Sequence, residues 1–322
     1  MTLRVVVVTR NSADVVSECL DALGEALRGV DAAVVVVDVA SSDGTADVVG
    51  AGPWGRTVVH RVGDLSRAAA TNLAVADANP NDDVLLLSPD VRLAPDCVHR
   101  LLAAADAART DPGGHRVGIL APRLVGPDGA DLPSRRREPT LTRVLGEAAL
   151  GVRSRRLGPM WSEVVDEPAH SGPTEVDWAS GAVLLVRAAC RRGVGPWDES
   201  YRHGEETDYC LRARDLAWTT RFVPGAVAVH RGGRSLAEPD RHALRASNRL
   251  RLVRHRRGGL VAGAFRLVLL VGALARVVTG RRTSVTTLRV LLGIPRPRVP
   301  GPPVAPTGTR TAVSPPSGGR PS

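Results

Sequence analysis

Leu3-Arg4-Val5-Val6-Val7-Val8-Thr9 is a run of β-branched residues without polar alternation, and Asn11-Ser12 follows it after one residue. A strand that is apolar toward both faces predicts a sheet covered on both sides, and so an α/β chain rather than an all-β one. Asn11 and Ser12 are helix-capping types, and Val16, Leu20, Leu23 and Leu27 recur behind them at helical spacing. The unit then repeats. Ala32 to Asp38 reads as a second strand ending on a carboxylate, and Ala40-Ser41-Ser42-Asp43-Gly44-Thr45 opens another helix. Thr57 to Arg61 reads as a third strand, Ser66 to Asp77 as a helix, and Asp83 to Leu87 as a fourth strand that runs into Ser88-Pro89-Asp90. Strand and helix in alternation predict a Rossmann-like, mostly parallel central sheet flanked by helices, with ligands at the carboxyl ends of the strands. Thr9, Asn11, Asp38 and Asp90 all fall at such ends, so one pocket can collect them.

The chain beyond Asp90 departs from this rhythm. Pro127-Asp128-Gly129 is a hairpin turn signal. Gly151 to Thr174 is rich in Pro and Gly and predicts a loop over the site. Val176 to Val186 (VDWASGAVLLV) predicts one buried strand, and Gly195-Pro196-Trp197-Asp198-Glu199 a turn. Three carboxylates, Glu205, Glu206 and Asp208, then stand just ahead of an apolar and basic run that reads as a helix. The helix N-terminus stabilises acids, so a charged helix start is the plain reading. An acidic cluster on a short loop beyond a buried strand is equally a candidate general-base site. Arg221 to Val223 and Ala226 to Val229 predict short strands leading to His230 and the loop Arg231-Gly232-Gly233.

Charge divides the chain. Sixteen arginines and no acid follow Asp240, while the first 240 residues hold 27 arginines against 33 acids, so the net +10 belongs to the C-terminal segment. Such asymmetry calls for an anionic partner. Ala243, Ala246, Leu250 and Val253 form an apolar stripe among Arg241, Arg245, Arg249, Arg254 and Arg257, which predicts a basic amphipathic helix. Gly258 to Gly280 is apolar except for Arg266 and Arg276, and its uncharged stretch, Leu267 to Ala275, reads as too short to span about 30 Å of hydrocarbon. A helix lying on an anionic membrane is the expectation, with helices packed on the domain as the other reading. The organisation expected is residues 1–240 as a catalytic domain, 241–294 as membrane-associated helices and 295–322 as a disordered Pro- and Gly-rich tail. Cys19, Cys97, Cys190 and Cys210 lack metal-ligand spacing and read as buried thiols of a reducing cytoplasm. The chain opens on a strand pattern without a signal peptide, which predicts a cytoplasmic site on the inner face of the cell membrane. No G-x-G-x-x-G or G-x-x-x-x-G-K-[ST] follows the first strand, which disfavours dinucleotide and P-loop chemistry. Aromatic content of 3% and the lack of a recognisable binding module argue against nucleic acid as a partner.

The order WASGAVLLVR, GPWDESY, GEETDYCLRAR resembles the C-terminal half of the catalytic domain of family 2 nucleotide-sugar glycosyltransferases, which are inverting enzymes with a GT-A fold. The resemblance runs from about Leu3 to Ser235 and is strongest to the rhamnosyltransferase-like branch of bacterial cell-envelope enzymes. It implies transfer of a sugar from a pyrimidine nucleoside diphosphate, with dTDP-rhamnose and UDP-sugars both open as donors, to a hydroxyl of an envelope glycan or polyprenyl-linked saccharide. By it, Asp38 accepts a hydrogen bond from the pyrimidine, and Asp43 and Asn72 match weaker positions of the nucleotide site, beside Thr9 and Asn11. Asp90 matches the metal-binding acid of the DxD motif, for Mg²⁺ or Mn²⁺, and His230 a second metal or diphosphate ligand. Glu206 matches the catalytic base, with Glu205 and Asp208 as neighbours able to take that role. Val39, Ser88 and Glu206 depart from the usual Asn, first acid and Asp. A catalytically degenerate relative and a sugar nucleotidyltransferase stand as the alternatives.

Overall fold

The computed structural model describes residues 2–52, 54, 57–107, 114–165, 172–202, 204–232, 238–280, 284–294 and 310–312. β1 (Leu3–Thr9), α1 (Val16–Ala26), β2 (Ala32–Val39), α2 (Thr45–Ala51), β3 (Thr57–Val62), α3 (Arg67–Val75) and β4 (Val84–Leu87) build the first half. Its four strands are parallel, in the order β3-β2-β1-β4. β5 (Val91–Leu93), α4 (Cys97–Ala107), β6 (Arg116–Val125), β7 (Arg135–Arg136), α5 (Leu141–Leu150), β8 (Thr174–Val176), β9 (Trp178–Ala179), β10 (Val183–Val186), α6 (Ala188–Val194), α7 (Glu205–Asp215) and β11 (Trp218–His230) follow. They extend the sheet as β4-β10-β6-β11-β5, in which β10 and β5 run antiparallel to their neighbours.

The valine run of β1 explains the layering. Val5 and Val7 pack with Leu20 and Leu23 of α1 and Leu101 of α4 on one face. Val6 packs with Ala70 and Ala74 of α3 and Tyr209 of α7 on the other. A strand with helices on both sides has no use for a polar face. The four cysteines are buried and free, as expected, and burial pushes each thiol up to about 12.

Two strand expectations are corrected. Val176 to Val186 is not continuous: Ser180-Gly181 breaks it between β9 and β10. The segments around Arg221 and Ala226 form a single strand, β11, whose register shifts between Val223 and Val227 around Pro224-Gly225. Proline cannot donate to the ladder, so the bulge absorbs it. Of the stretch expected to cover the site, Gly151–Leu157 forms a 3₁₀ turn after α5, and its continuation docks Glu163 and Val164 on Arg137. Residues 166–171 of that stretch lie outside the described residues.

α8 (Glu238–Val278) and α9 (Ser284–Leu291) close the described C-terminal region. The stripe of α8 is buried against the domain rather than presented outward: Ala243, Ala246 and Val253 are at most 7% exposed. Arg256 grips Asp215 with two bonds of 2.7 Å, and Arg256, Arg257 and Arg214 surround the buried Glu138 at 3.4, 3.1 and 2.6 Å. An 18-residue window in the helix reaches mean hydropathy 2.0 with 28% of it buried, so by length and composition it can cross a membrane. That corrects the count made on the uncharged stretch alone. Of the tail expected to be disordered, only β12 (Arg310–Ala312) is described, and it pairs antiparallel with β3; the rest lies outside the described residues.

Candidate active site

The carboxyl ends of β1 and β2 form the first wall. Asp38 is 4% exposed, and its Oδ1 accepts from the Thr9 hydroxyl at 2.8 Å and the Ser41 hydroxyl at 2.6 Å. Asn11 and Ala40, just past these strand ends, hold positive φ of 48° and 49°. Alanine in that region costs about 1 kcal/mol, and its presence marks a loop held by its surroundings. The hold is visible: Asn11 accepts from the Ser42 N–H at 2.9 Å, and Asp43 accepts from the N–H groups of Ala13 and Thr45, each at 3.0 Å. Burial works to raise the Asp43 carboxyl, but these bonds and the Thr45 hydroxyl outweigh it and hold the group below its ordinary value. Asp43 is thus the brace between the two loops. Val39 is 3% exposed within the core, so the residue that departs from the family pattern turns away from the pocket.

β4 and β11 form the second wall. His230 pairs with Val91 in the antiparallel β5–β11 ladder, which carries its ring to Asp90, with Nε2 3.2 Å from Oδ2. The contact is close enough for an ion pair but off the angle of a hydrogen bond, so Asp90 Oδ2 is buried without a hydrogen-bond partner. Burial opposes ionisation of Asp90, yet His230 and, more weakly, the charge of Arg67 hold the carboxyl below its ordinary value. A buried orphan carboxylate oxygen beside an imidazole nitrogen is a donor set that fits a divalent cation. Among the described residues no three His, Cys, Asp or Glu side chains converge. Phosphate oxygens and water would complete the shell, as is usual for Mg²⁺. Gly232 beyond His230 has φ +85°, while Gly233 of the same loop lies outside the described residues.

The third wall is the start of α7. Glu205, Glu206 and Asp208 do occupy its first turn. The break at Ser180-Gly181 now has a reason: a Cβ on Gly181 would lie 3.3 Å from Cβ and Cδ of Glu206 and 3.2 Å from Arg67 Nη1. Glycine there lets α7 close on the sheet end. Glu205 is buried, its Oε2 has no hydrogen-bond partner, and its Oε1 lies 3.6 Å from Arg67 Nε. Burial pushes the Glu205 carboxyl up to about 7; the charge of Glu206 adds to the rise and Arg67 opposes it. Asp208 is differently employed. It accepts from Arg212 Nε at 2.8 Å, and Arg212 goes on to the carbonyls of Val194 and Pro196, tying α7 to the Gly195 turn. Asn72 is likewise engaged: its amide donates to the Trp197 carbonyl at 2.9 Å and accepts the Trp197 N–H at 3.0 Å, which ties α3 to the Gly195 turn.

Arg67 joins the walls and was not singled out from the sequence. It donates to the Gly181 carbonyl at 2.5 Å and to Ser88 Oγ at 3.2 Å, besides facing Glu205. Ser88 stands where the family carries its first acid, and a guanidinium fills the space beside it. The available signal was a cation in the first turn of a helix capped by Ser66, where the helix dipole disfavours positive charge.

The raised Glu205 pKa sets a direction for stability. A carboxyl raised in the folded state contributes stability below its unfolded pKa of about 4.3, and that contribution is lost as pH rises through about 7. Glu205→Gln is therefore expected to unfold at higher urea than the wild type at pH 8, by up to about 3 kcal/mol, with the gap closing by pH 4.5. Urea midpoints equal for both proteins at pH 8 would refute it.

The family profile described as Glycosyl transferase family 2 matches residues 4–123. Two curated relatives, each an N-acetylglucosaminyl-diphospho-decaprenol L-rhamnosyltransferase, from Mycobacterium tuberculosis strains CDC 1551 / Oshkosh and ATCC 25618 / H37Rv, are 32% identical over 170 residues. The match takes in 50% of this chain and 51% of each relative, so the chain spans about half the length of the curated relatives it matches. Among solved structures, the mannosyltransferase PcManGT from Pyrobaculum calidifontis, in complex with GDP-Man and Mn²⁺, aligns with TM-score 0.52 at 18% identity, over 91% of this chain and 76% of that one. GalNAc-T7 with UDP, GalNAc and Mn²⁺ aligns with TM-score 0.51 at 14% identity, over 72% of this chain and 43% of that one. The strand order and these neighbours agree on a GT-A fold, and residues 4–123 within it match the glycosyl transferase family 2 profile.

Proposed function

We propose that the chain is an inverting glycosyltransferase that moves a sugar, rhamnose on the strength of the curated relatives, from a pyrimidine nucleoside diphosphate to a hydroxyl of a lipid-linked saccharide. The observation that carries the reading is the meeting of Asp38, the Asp90–His230 pair and the Glu205–Glu206 pair at one end of the sheet, with Arg67 between the last two. Asp38, fixed by Thr9 and Ser41, accepts the ring N–H of the pyrimidine. Mg²⁺ or Mn²⁺ held by Asp90 and His230 would neutralise the charge that grows on the departing diphosphate. Arg67 adds a fixed positive charge beside Ser88, and Gly232 gives phosphate oxygens access to backbone amides. Glu206, against Gly181, takes the proton of the attacking hydroxyl, with Glu205 behind it; the new bond forms opposite the leaving group, so the anomeric centre inverts.

In the same reading residues 1–240 hold the chemistry, residues 241–294 meet the anionic cytoplasmic face of the membrane where the acceptor resides, and nucleic acid is not a partner. Calorimetric titration of the full chain with dTDP, UDP and GDP, with and without Mn²⁺, tests it. The expected result is metal-dependent binding that favours a pyrimidine diphosphate. Equal affinity for GDP, or no binding of any of the three, would leave a degenerate relative as the better description.

A further inference from the structure

Most of the exposed large apolar side chains fall on two stretches of chain, from α5 through the 3₁₀ turn and along the C-terminal helices. α8 carries two stripes. Ala262, Phe265, Leu269 and Ala273 are buried, whereas Leu267, Val271, Leu274 and Val278, at the same helical spacing on another face, are 52–78% exposed. A second group belongs to a segment more than a hundred residues earlier: Val152 is 72% exposed, Leu157 56% and Met160 61%, all on or just beyond the 3₁₀ turn. The two groups lie on packed neighbours. Val144 of α5 shares a small core with Phe265, Leu269 and Leu291, and a Cβ on Gly272 of α8 would lie 3.2 Å from Ala148 Cβ.

Charge identifies what such a face would meet. Between Ala148 and Ser162 there is no acid, and Arg153, Arg155 and Arg156 alternate with the apolar side chains. Beyond Asp240 there is none either. An apolar face of this extent mixed with arginine and free of carboxylates suits the boundary of an anionic bilayer, where apolar side chains enter the acyl region and guanidiniums meet headgroups.

We infer that the 3₁₀ turn and its flank, residues 150–160, and the outer stripe of α8 form one docking surface for an anionic lipid bilayer, with Val152, Leu157 and Met160 as inserted side chains. The inference rests on the membrane placement proposed above and adds to it a contact that the C-terminal helices do not supply. Co-sedimentation of the full chain with vesicles of phosphatidylcholine alone and of phosphatidylcholine with phosphatidylglycerol tests it, comparing the wild type with Val152→Asp/Met160→Asp. Both positions are exposed, and an unchanged melting temperature with retained dTDP binding verifies that the variant folds. The wild type is expected to prefer the anionic vesicles, and the variant to bind them at least about tenfold more weakly. Equal binding by variant and wild type, or equal binding to both vesicle types, overturns the inference. So does a wild type that ignores vesicles but dimerises in sedimentation velocity through a face the variant disrupts. Because dTDP binding is read on the same samples, a wild type that binds dTDP but shows no preference for anionic vesicles refutes this surface alone and leaves the transferase reading standing.

Discussion

Glu206→Gln is expected to lower kcat for sugar transfer by about 10²- to 10⁴-fold while leaving the affinity for the nucleoside diphosphate in place. The amide keeps the size of the side chain and its fit against Gly181, but it cannot take a proton at neutral pH. A single displacement has no covalent intermediate to fall back on, so the loss falls on the chemical step. Steady-state kinetics with a lipid-linked acceptor, alongside calorimetric Kd values, separates the two effects. Should Glu206→Gln retain turnover while Glu205→Gln abolishes it, the base is Glu205. The buried position and raised pKa of Glu205 make that a well-defined rival.

Asp90→Ala is the second large effect. It removes the carboxylate that burial and His230 have prepared and leaves the imidazole as the remaining protein donor of the pair. The enhancement of dTDP or UDP binding by Mn²⁺ is expected to fall by two orders of magnitude or more, about 3 kcal/mol. Titration of wild type and variant with and without the metal reads it directly, and a thermal melt checks that losing the Asp90–His230 contact has not unfolded the loop. A variant that keeps the full metal enhancement would remove Asp90 from the site.

How much of this could be read in advance follows from how local each signal is. β1 to β4 were legible to within a residue or two because a strand covered on both faces announces itself in its own valines. The placement of Asp38 at the end of β2 was legible for the same reason, and so was that of Asp90 in the turn after β4. The pairing of Asp90 with His230 needed the β5–β11 ladder, whose β5 member has three residues and no pattern of its own. Arg67 depended on the carbonyl of Gly181, 114 residues away, and no spacing encodes that. The break at Ser180-Gly181 was hidden by the apolar residues on either side of it. The ties of Asn72 to Trp197 and of Asp208 to Arg212 were not legible, since neither partner is marked by the local pattern. The stripe of Ala243, Ala246 and Val253 was read correctly as apolar, but periodicity gives the face of a helix and not what lies against it.

One feature of α8 bears on how the whole molecule stands. Gly258, with φ 81° and ψ 176°, interrupts the helix. Ala246 and Val253 before it and Ala262, Phe265 and Leu269 after it nevertheless lie in one core with Val144 and Leu291. A swivel would let those two sets part. This one is a set elbow, with its near arm clamped to the domain by Arg249 and Arg256. Whatever grips the far arm therefore also fixes the tilt of the nucleotide pocket, and with it the height from which an acceptor must reach in.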